Sequence, residues 1–240
     1  MKVFVDIGAH FGQSILKALN PKFGFDLVRA YEPSTYAQKR LSRIKDSRLH
    51  VKPYALGGTR ERRLLFGAGF LGASIFPDKA NLVEPTQRET IEVRVAHEEL
   101  EDLLIEENQV WLKINCEGSE LAILRDLHKF DLLDKFEQIY IDWDARKVPS
   151  LRIDLADTIS LVTESGCRYV SAHDFEETGW IGVEKWLVAG SDDRLSSDEI
   201  SRQDFREYQL LKFPYSTLGF FKYHFPDLWS FLARWYHRKR

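Results

Sequence analysis

The sequence predicts one large α/β domain, built on a mostly parallel sheet with helices on both faces. Short apolar and β-branched runs alternate with longer segments of helical periodicity, which is typical of βαβ units. The 240 residues are enough for one such domain with a sizeable core. The hydrophobic share of 44% and charged share of 30% are those of an ordinary globular protein. We therefore expect one domain over residues 1–195 and a different segment over residues 196–240.

The first half of the chain predicts three strands with helices between them. Gln13–Leu19 has apolar residues at helical spacing. Thr35 and Gln38 have the spacing of a capping box, which predicts that the second helix opens there. The glycine-rich segment from Gly57 to Pro85 predicts loops or a hairpin over the sheet. The predicted strands are Lys2–Ile7, Leu27–Tyr31 and Leu49–Ala55.

The second half resumes the alternation and brings the predicted sheet to seven strands, apart from one edge or peripheral strand. Thr90–Val95 alternates with period two and is predicted as an edge or peripheral strand. Helices are predicted over Ser119–Leu133 and Leu151–Ser165, with Gly166 at the position of a left-handed C-cap. The remaining strands are predicted at Val110–Asn115, Gln138–Trp143, Arg168–Ser171 and Lys185–Ala189.

Charge, apolar runs and cysteines exclude several classes of protein. A net charge of −3 gives no attraction to nucleic acid, so none is expected as a partner. No apolar run has the length of a membrane span, and no secretory signal pattern is visible, so we expect a cytoplasmic protein. Cys116 and Cys167 do not have metal-ligand spacing. They are expected to be buried reduced thiols, and no metal is expected.

The strongest functional signal is a glycine turn, VFVDIGAHFGQS, at residues 3–14. Gly8 permits a tight bend after the first strand, and Gly12 lets the following helix pack close to it. Asp6 ends that strand, where a carboxylate could receive a ligand's ammonium group. Glu32 lies twenty residues past Gly12 at the end of the second strand, where a carboxylate can accept hydrogen bonds from both hydroxyls of a ribose. Together these residues predict a site for an adenosine-bearing ligand.

Two functional classes would share this turn and its carboxylate. A nicotinamide-dependent oxidoreductase would use the same pair, but G-A-H-F-G lacks the G-x-G-x-x-G spacing of a pyrophosphate site. No Walker lysine is present either, so a ligand without phosphates fits better. A binding module without catalysis would keep the fold, although the intact Asp6, Gly8, Gly12 and Glu32 argue against it.

Three motifs resemble the FkbM family of S-adenosylmethionine (SAM)-dependent class I methyltransferases. They are D-I-G-A-H-F-G-Q, then Y-E-P, then L-K-I-N-C-E-G-S-E at residues 112–120. The family pattern is D-x-G-A-x-x-G, F/Y-E-P and K-I/L-D-x-E-G-x-E, and the similarity covers roughly residues 3–190. The resemblance implies a Rossmann-like class I methyltransferase fold with SAM as cofactor. Cofactor-binding positions are then expected at Asp6, Gly8, Ala9, Gly12, Gln13, Glu32, Pro33, Tyr54, Ala55 and Asn115.

The same resemblance implies O-methylation of a hydroxyl on a sugar, glycan or polyketide-like small molecule. One departure is that the family commonly has Asp where this chain has Asn115, which supplies only an amide. Asn115, Glu117 and Asp142 could bind Mg²⁺ through oxygen ligands. That site is disfavoured because its members are brought together by assumption and position 115 lacks a carboxylate.

The candidate catalytic residues are Glu117, Asp142 and His10, at the carboxyl ends of predicted strands. Glu117 follows the fourth core strand and is the first choice for positioning the acceptor or removing its proton. The alternative is that Glu117 and Glu120 only favour the dipole of the next helix. Asp142 and Asp144 could instead be solvated loop carboxylates, and a lone loop histidine such as His10 is more often a bystander.

Three further segments carry predictions of their own. Lys113 lies in an otherwise apolar strand and is expected to pair with a carboxylate such as Glu32 or Asp142. The loop with Gly67, Gly69 and Gly72 could act as a lid over the acceptor. Residues 213–240 are aromatic and end in HRKR. A C-terminal helix docked on the core is favoured there, and the alternative is a surface that meets a membrane, a lipid-linked glycan or a second subunit.

Overall fold

The computed structural model describes residues 1–172 and 179–191, and residues 1–190 form one compact unit. Within the described ranges, strands and helices alternate as the sequence predicts, except between residues 49 and 95, where four strands follow one another. The strands are β1 (Lys2–Ile7), β2 (Leu27–Tyr31), β3 (Leu49–Lys52), β4 (Ala55–Gly57), β5 (Glu61–Phe66), β6 (Arg88–Val95), β7 (Gln109–Ile114), β8 (Gln138–Ile141) and β9 (Tyr169–Ser171). The helices are α1 (Gln13–Ala18), α2 (Thr35–Leu41), α3 (Ala96–Leu100), α4 (Glu120–Lys129), α5 (Arg152–Glu164) and α6 (Gly179–Ser191).

The central sheet has six strands in the order β3-β2-β1-β7-β8-β9, and every neighbouring pair is parallel. The strand order reverses between β1 and β7, which is the point where such sheets bind ligands. Ile7 at the end of β1 pairs with Tyr31 on one side and with Ile114 on the other. The ends of β1, β2 and β7 are therefore level at one edge, and the Rossmann-like fold is confirmed.

The predicted seventh strand is wrong. Lys185–Ala189 lies inside α6, because a short apolar run fits a buried helix as well as a buried strand. Trp186 in that helix packs against Trp111 with ring centroids 5.1 Å apart, and its Nε1 donates to Gln138 Oε1 at 2.8 Å. α6 thus covers one face of the sheet.

A second sheet has three strands in the order β4-β6-β5, and only β5 lies wholly within the glycine-rich segment. β4 pairs parallel with β6, and β5 pairs antiparallel with it. The predicted strand Leu49–Ala55 is divided, since β3 ends at Lys52 and Ala55 begins β4 in the smaller sheet. Thr90–Val95 lies within β6, the middle strand of this sheet rather than an edge.

Both faces of the central sheet are covered by apolar clusters. Val3, Val5 and Ile7 belong to the cluster that includes residues of α3, α4 and α5. Phe4, on the opposite face of β1, belongs to the cluster that includes residues of α1, α2 and α6. This alternation follows from the two-residue period of a strand, and it confirms helices on both faces.

The start of α2 differs from the prediction. The predicted capping box is wrong, because Thr35 is already the first helical residue and Ser34 precedes the helix. Gln38 Nε2 instead donates to the carbonyls of Glu32 and Pro33, at 2.9 and 3.0 Å.

Among the described helices, none has the length and apolarity needed to span a membrane. The predicted tail, 196–240, lies outside the described residues.

Candidate active site at the carboxyl ends of the central strands

Gly8 turns the chain directly against the end of β7. Its φ is +83°, and a Cβ there would lie 1.9 Å from the carbonyl oxygen of Asn115. The amides of Gly8 and Ala9 both donate to the Tyr31 carbonyl, at 3.1 and 3.2 Å. No other residue type fits, because the side chain would overlap backbone and the backbone conformation favours glycine. The turn is therefore pinned between the ends of β2 and β7.

The residues after Gly8 pack closely on apolar neighbours and lead into α1. Gly12 has φ +87° and precedes α1, and a Cβ there would come within 2.9 Å of side-chain atoms of Leu41 and Ile44. Ala9 is buried in the apolar cluster beneath the turn. Gln13 is the first residue of α1. Gly12 therefore lets the turn approach α2 closely.

Glu32 is a buried carboxylate held by two backbone amides. Its side chain accepts from the amide of His10 at 2.7 Å and from the amide of Ser34 at 2.9 Å. The residue is 6% exposed, and burial raises the pKa of its carboxyl to about 7 in spite of these two hydrogen bonds. The Y-E-P segment thus directs one ionisable group to the edge of the sheet.

Asp6 forms a buried ion pair with Lys113, at 2.7 Å between Oδ1 and Nζ. Lys113 Nζ also donates to the Gly8 carbonyl at 2.9 Å, so it joins β7 to the turn after β1. Lys113 pairs with a carboxylate as predicted, but that carboxylate is Asp6 and not Glu32 or Asp142. Register explains the pairing, because Asp6 and Lys113 are opposite one another in neighbouring strands. Asp6 Oδ2 is buried and has no hydrogen-bond partner among the described residues.

A cavity opens where these strand ends meet the loop that follows β5. Glu32 and the glycine turn form one wall, and residues 69–75 of the loop form another. The predicted site residues that line it are Gly8, His10, Glu32, Pro33, Ala55, Asn115 and Glu117. The predicted site residues outside the lining are Asp6, Ala9, Gly12, Gln13, Tyr54 and Asp142.

The second sheet supplies a wall that the sequence motifs do not reveal. Ala55 lines the cavity, whereas the neighbouring Tyr54 donates its hydroxyl to Glu99 Oε2 at 2.6 Å.

Ser34 was not among the predicted site residues. Its hydroxyl oxygen is buried beside Glu32, lines the cavity and has no hydrogen-bond partner among the described residues. The only sequence signal for Ser34 is its place directly after the Y-E-P motif.

Glu117 reaches the same cavity from the end of β7. It has φ +58°, an uncommon conformation for a residue other than glycine. Its Oε2 lies 3.0 Å from Lys79 Nζ, and its side chain is 22% exposed. Burial and the charge of Asp144 raise the pKa of Glu117, and the charges of Lys79 and Lys147 oppose that rise.

The other carboxylates near the end of β7 are buried and engaged in the scaffold. Glu120 accepts from the amides of Gly118, at 2.8 Å, and Ala145, and burial raises its pKa to about 8. Asp144 forms an ion pair with Lys147 and is 1% exposed. Asp142 is 2% exposed and lies near Arg146, so the alternative of solvated loop carboxylates is wrong for both aspartates. Glu117 is the carboxylate of this group that lines the cavity.

His10 lies in the glycine turn with φ +47° and lines the cavity. Its ring contacts that of Phe11, with centroids 3.6 Å apart and the planes tilted by 32°, while its backbone amide donates to Glu32. Within the described residues, no group of three or more His, Cys, Asp or Glu side chains could hold a metal ion. The cavity therefore has two ionisable carboxyl groups in its lining, those of Glu32 and Glu117.

Known proteins resemble this chain over part of its length. A crystal structure of methyltransferase FkbM from Methylobacillus flagellatus KT is similar, with 19% sequence identity and a TM-score of 0.45. The match covers 68% of this chain and 38% of that one. Among curated proteins, none matches this chain significantly. The model of the methyltransferase FkbM domain matches residues 6–169, more than half of the sequence. The chain belongs to the FkbM methyltransferase family.

Proposed function

We propose that the protein is a SAM-dependent methyltransferase that methylates a hydroxyl of a small-molecule or glycan acceptor. The observation that carries this proposal is the buried Glu32 carboxylate at the cavity wall, beside the turn made by Gly8. Family membership supports methyl transfer as the reaction. The nature of the acceptor rests on the family resemblance and on the presence of Glu117, a base at the cavity wall. A nucleic-acid acceptor is disfavoured by the net charge of −3.

The polar groups of the pocket fit SAM. A carboxylate has about four acceptor sites, and Glu32 uses one for each of two amides, so both oxygens can still accept a ribose hydroxyl. Ser34 Oγ lies buried beside it and can donate or accept. Asp6, which is fully buried and pairs with Lys113, lies outside the cavity lining and supports the turn rather than contacting the cofactor. When bound, SAM supplies a methyl group that is activated by the positive charge of its sulfonium.

The chain itself has three tasks in such a reaction. Glu32 fixes the cofactor, and the loop of residues 69–75 excludes water from the cavity. Glu117 would take the proton of the acceptor hydroxyl at a side-chain oxygen, while SAM would supply the methyl group and leave as S-adenosylhomocysteine. Burial raises the pKa of Glu117, which makes the carboxylate a better base than an exposed glutamate.

Calorimetric titration of the purified chain with SAM and with NAD tests the proposal. We expect SAM to bind and NAD not to bind. Tight binding of NAD would support an oxidoreductase and refute the methyltransferase proposal. Binding of neither would support a module without catalysis.

The role of Glu117 is tested by Glu117→Gln. We expect unchanged SAM affinity, because Glu117 is not one of the proposed cofactor contacts. Turnover should fall by about 10²–10⁴-fold, the usual contribution of a general base. The assay is release of S-adenosylhomocysteine in a screen of hydroxyl-bearing acceptors. The matched control is Glu99→Gln, which alters a glutamate that pairs with Arg94 outside the cavity lining. Unchanged turnover in Glu117→Gln would remove Glu117 from the mechanism.

A further inference from the structure

Lys79 is a buried lysine in the loop segment that follows the cavity wall. Its side chain is 2% exposed, and its Nζ lies 3.0 Å from Glu117 Oε2 and 3.0 Å from the carbonyl oxygen of Gly72. A lysine is almost never fully buried unless it is paired. The contact with Glu117 is not local, because β6, α3 and β7 lie between the two residues in the sequence, whereas Gly72 belongs to the same loop. Lys79 therefore joins the loop to the end of β7 through a charge.

A second contact fixes the same loop to the same residue. Ser74 Oγ donates to the backbone carbonyl of Glu117 at 2.6 Å, and the amide of Phe76 donates to Ser74 Oγ at 3.2 Å. Ser74 and its neighbours line the cavity. The loop of residues 67–79, which we call the covering loop, thus contacts both the backbone and the side chain of Glu117.

The charges around Glu117 give these two contacts different consequences. Asp144 disfavours ionised Glu117, and Lys79 and Lys147 favour it. Lys147 forms its ion pair with Asp144, whereas Lys79 contacts Glu117 directly. Ser74 meets only the backbone and brings no charge. Displacing the covering loop would therefore remove from Glu117 the cation that it contacts.

We propose that Lys79 is a positioning residue, which orients Glu117 and holds it as a carboxylate when the covering loop lies over the cavity. The loop would then do more than exclude water, because the proton acceptor is ready only in the closed arrangement. By linkage, ionisation of Glu117 in turn favours closure of the loop. The proposal rests on the proposed function, since it assumes that Glu117 accepts a proton from the acceptor.

Direct titration of Glu117 tests the charge. Glutamate is labelled with ¹³C at the carboxyl carbon, the Glu117 resonance is assigned by its loss in Glu117→Gln, and spectra are recorded from pH 4 to pH 9. An opposite charge at this distance commonly changes an ionisation constant by about 10–1000-fold. We expect the ionisation constant of Glu117 to fall at least tenfold in Lys79→Met and to be restored within about threefold in Lys79→Arg.

Ser74→Ala is the matched control, because it removes the other contact between the covering loop and Glu117 without changing charge. Its Glu117 should titrate within about threefold of the wild-type value, since hydrogen bonds to the backbone do not alter the nearby charge. If Lys79→Met does not fold, Lys79→Gln replaces it. A Glu117 titration that is unaltered in the neutral variant, or altered equally in Ser74→Ala, would refute the role of Lys79.

Hydrogen exchange of the covering loop tests the linkage. Amides of residues 67–79 should exchange faster in Glu117→Gln than in wild type, and faster in wild type at acid pH after correction for intrinsic rates. Equal exchange in both proteins would refute the coupling. Calorimetry with SAM on the same samples separates the two proposals. If the wild-type protein does not bind SAM, the proposed function is refuted. If it binds SAM and the Glu117 titration in Lys79→Met equals that of wild type, only the role of Lys79 is refuted.

Discussion

Replacement of Glu32 is the sharpest test of the cofactor site, and its size follows from the contacts. Each ribose hydroxyl would donate to a charged acceptor, and such hydrogen bonds contribute about 1.5–3 kcal/mol each. Glu32→Ala removes both acceptors, so SAM affinity should fall by at least about 3 kcal/mol, or roughly 150-fold. Glu32→Gln keeps one acceptor oxygen and should lose about half as much free energy, or roughly tenfold in affinity.

The same carboxylate predicts how SAM affinity depends on pH. Burial raises the pKa of Glu32 to about 7, and only the ionised carboxylate can accept from both hydroxyls. Between pH 8 and pH 6 its ionised fraction falls about tenfold, so affinity should fall by up to that factor as the pH is lowered. Glu32→Gln cannot ionise and should lack this component, which separates it from the titration of SAM itself.

Calorimetry at pH 6, 7 and 8 measures both effects, with folding checked because Glu32 also serves two backbone amides. Glu32→Ala leaves the amides of His10 and Ser34 without their acceptor, which destabilises the fold by about 1–3 kcal/mol for each. Glu99→Gln is the control, since Glu99 accepts from Tyr54 outside the cavity lining. SAM affinity within twofold of wild type in folded Glu32→Ala, or equal pH dependence in wild type and Glu32→Gln, would refute the reasoning.

Three predictions concern stability, measured by urea unfolding. Gly8→Ala should cost at least about 3 kcal/mol or abolish folding, because its Cβ would lie 1.9 Å from a carbonyl oxygen. Gly24→Ala, with φ +65° and open space around it, should cost only about 1 kcal/mol, and equal effects would contradict the packing argument. Lys113→Met should cost about 3–5 kcal/mol, because it leaves the Asp6 carboxylate buried without its cation; a smaller cost above pH 7 would show that Asp6 does not depend on it. The raised pKa of Glu120, about 8 against 4.5 when unfolded, stabilises the fold fully below pH 4.5. That contribution is lost as the pH rises through 8, by up to about 5 kcal/mol, and a profile as steep in Glu120→Gln would refute the assignment.

The central sheet was predictable because its determinants are local. Strands β1, β2 and β7 are mainly apolar runs, and a motif lies at the carboxyl end of each. The three motifs contain Asp6, Glu32 and Glu117, respectively. Lys185–Ala189 failed because apolar periodicity over five residues does not separate a strand from a buried helix. The split of Leu49–Ala55 between two sheets depends on how β4 pairs with β6, and no local pattern records that pairing.

The candidate site was predictable only in part, for the same physical reason. Motif residues that end strands, such as Glu32 and Glu117, reach the cavity because parallel strands bring their ends to one edge. Lys113 was assigned the wrong carboxylate because the choice of partner is set by the register of β1 against β7. Lys79 carries no motif, and its contact with Glu117 depends on how the covering loop packs against the residues that follow β7.

Glu32 and Glu117 have different roles in the proposed reaction, and only Glu117 contacts the covering loop. Glu32 is held by the amides of His10 in the turn and of Ser34 just before α2, so its position does not depend on the covering loop. Glu117 depends on the loop for a backbone contact from Ser74 and for the charge of Lys79. Cofactor affinity should therefore be insensitive to changes at Lys79, whereas the ionisation of Glu117 should follow them. A site arranged in this way can bind its cofactor with the loop displaced and gain its proton acceptor only when the loop closes.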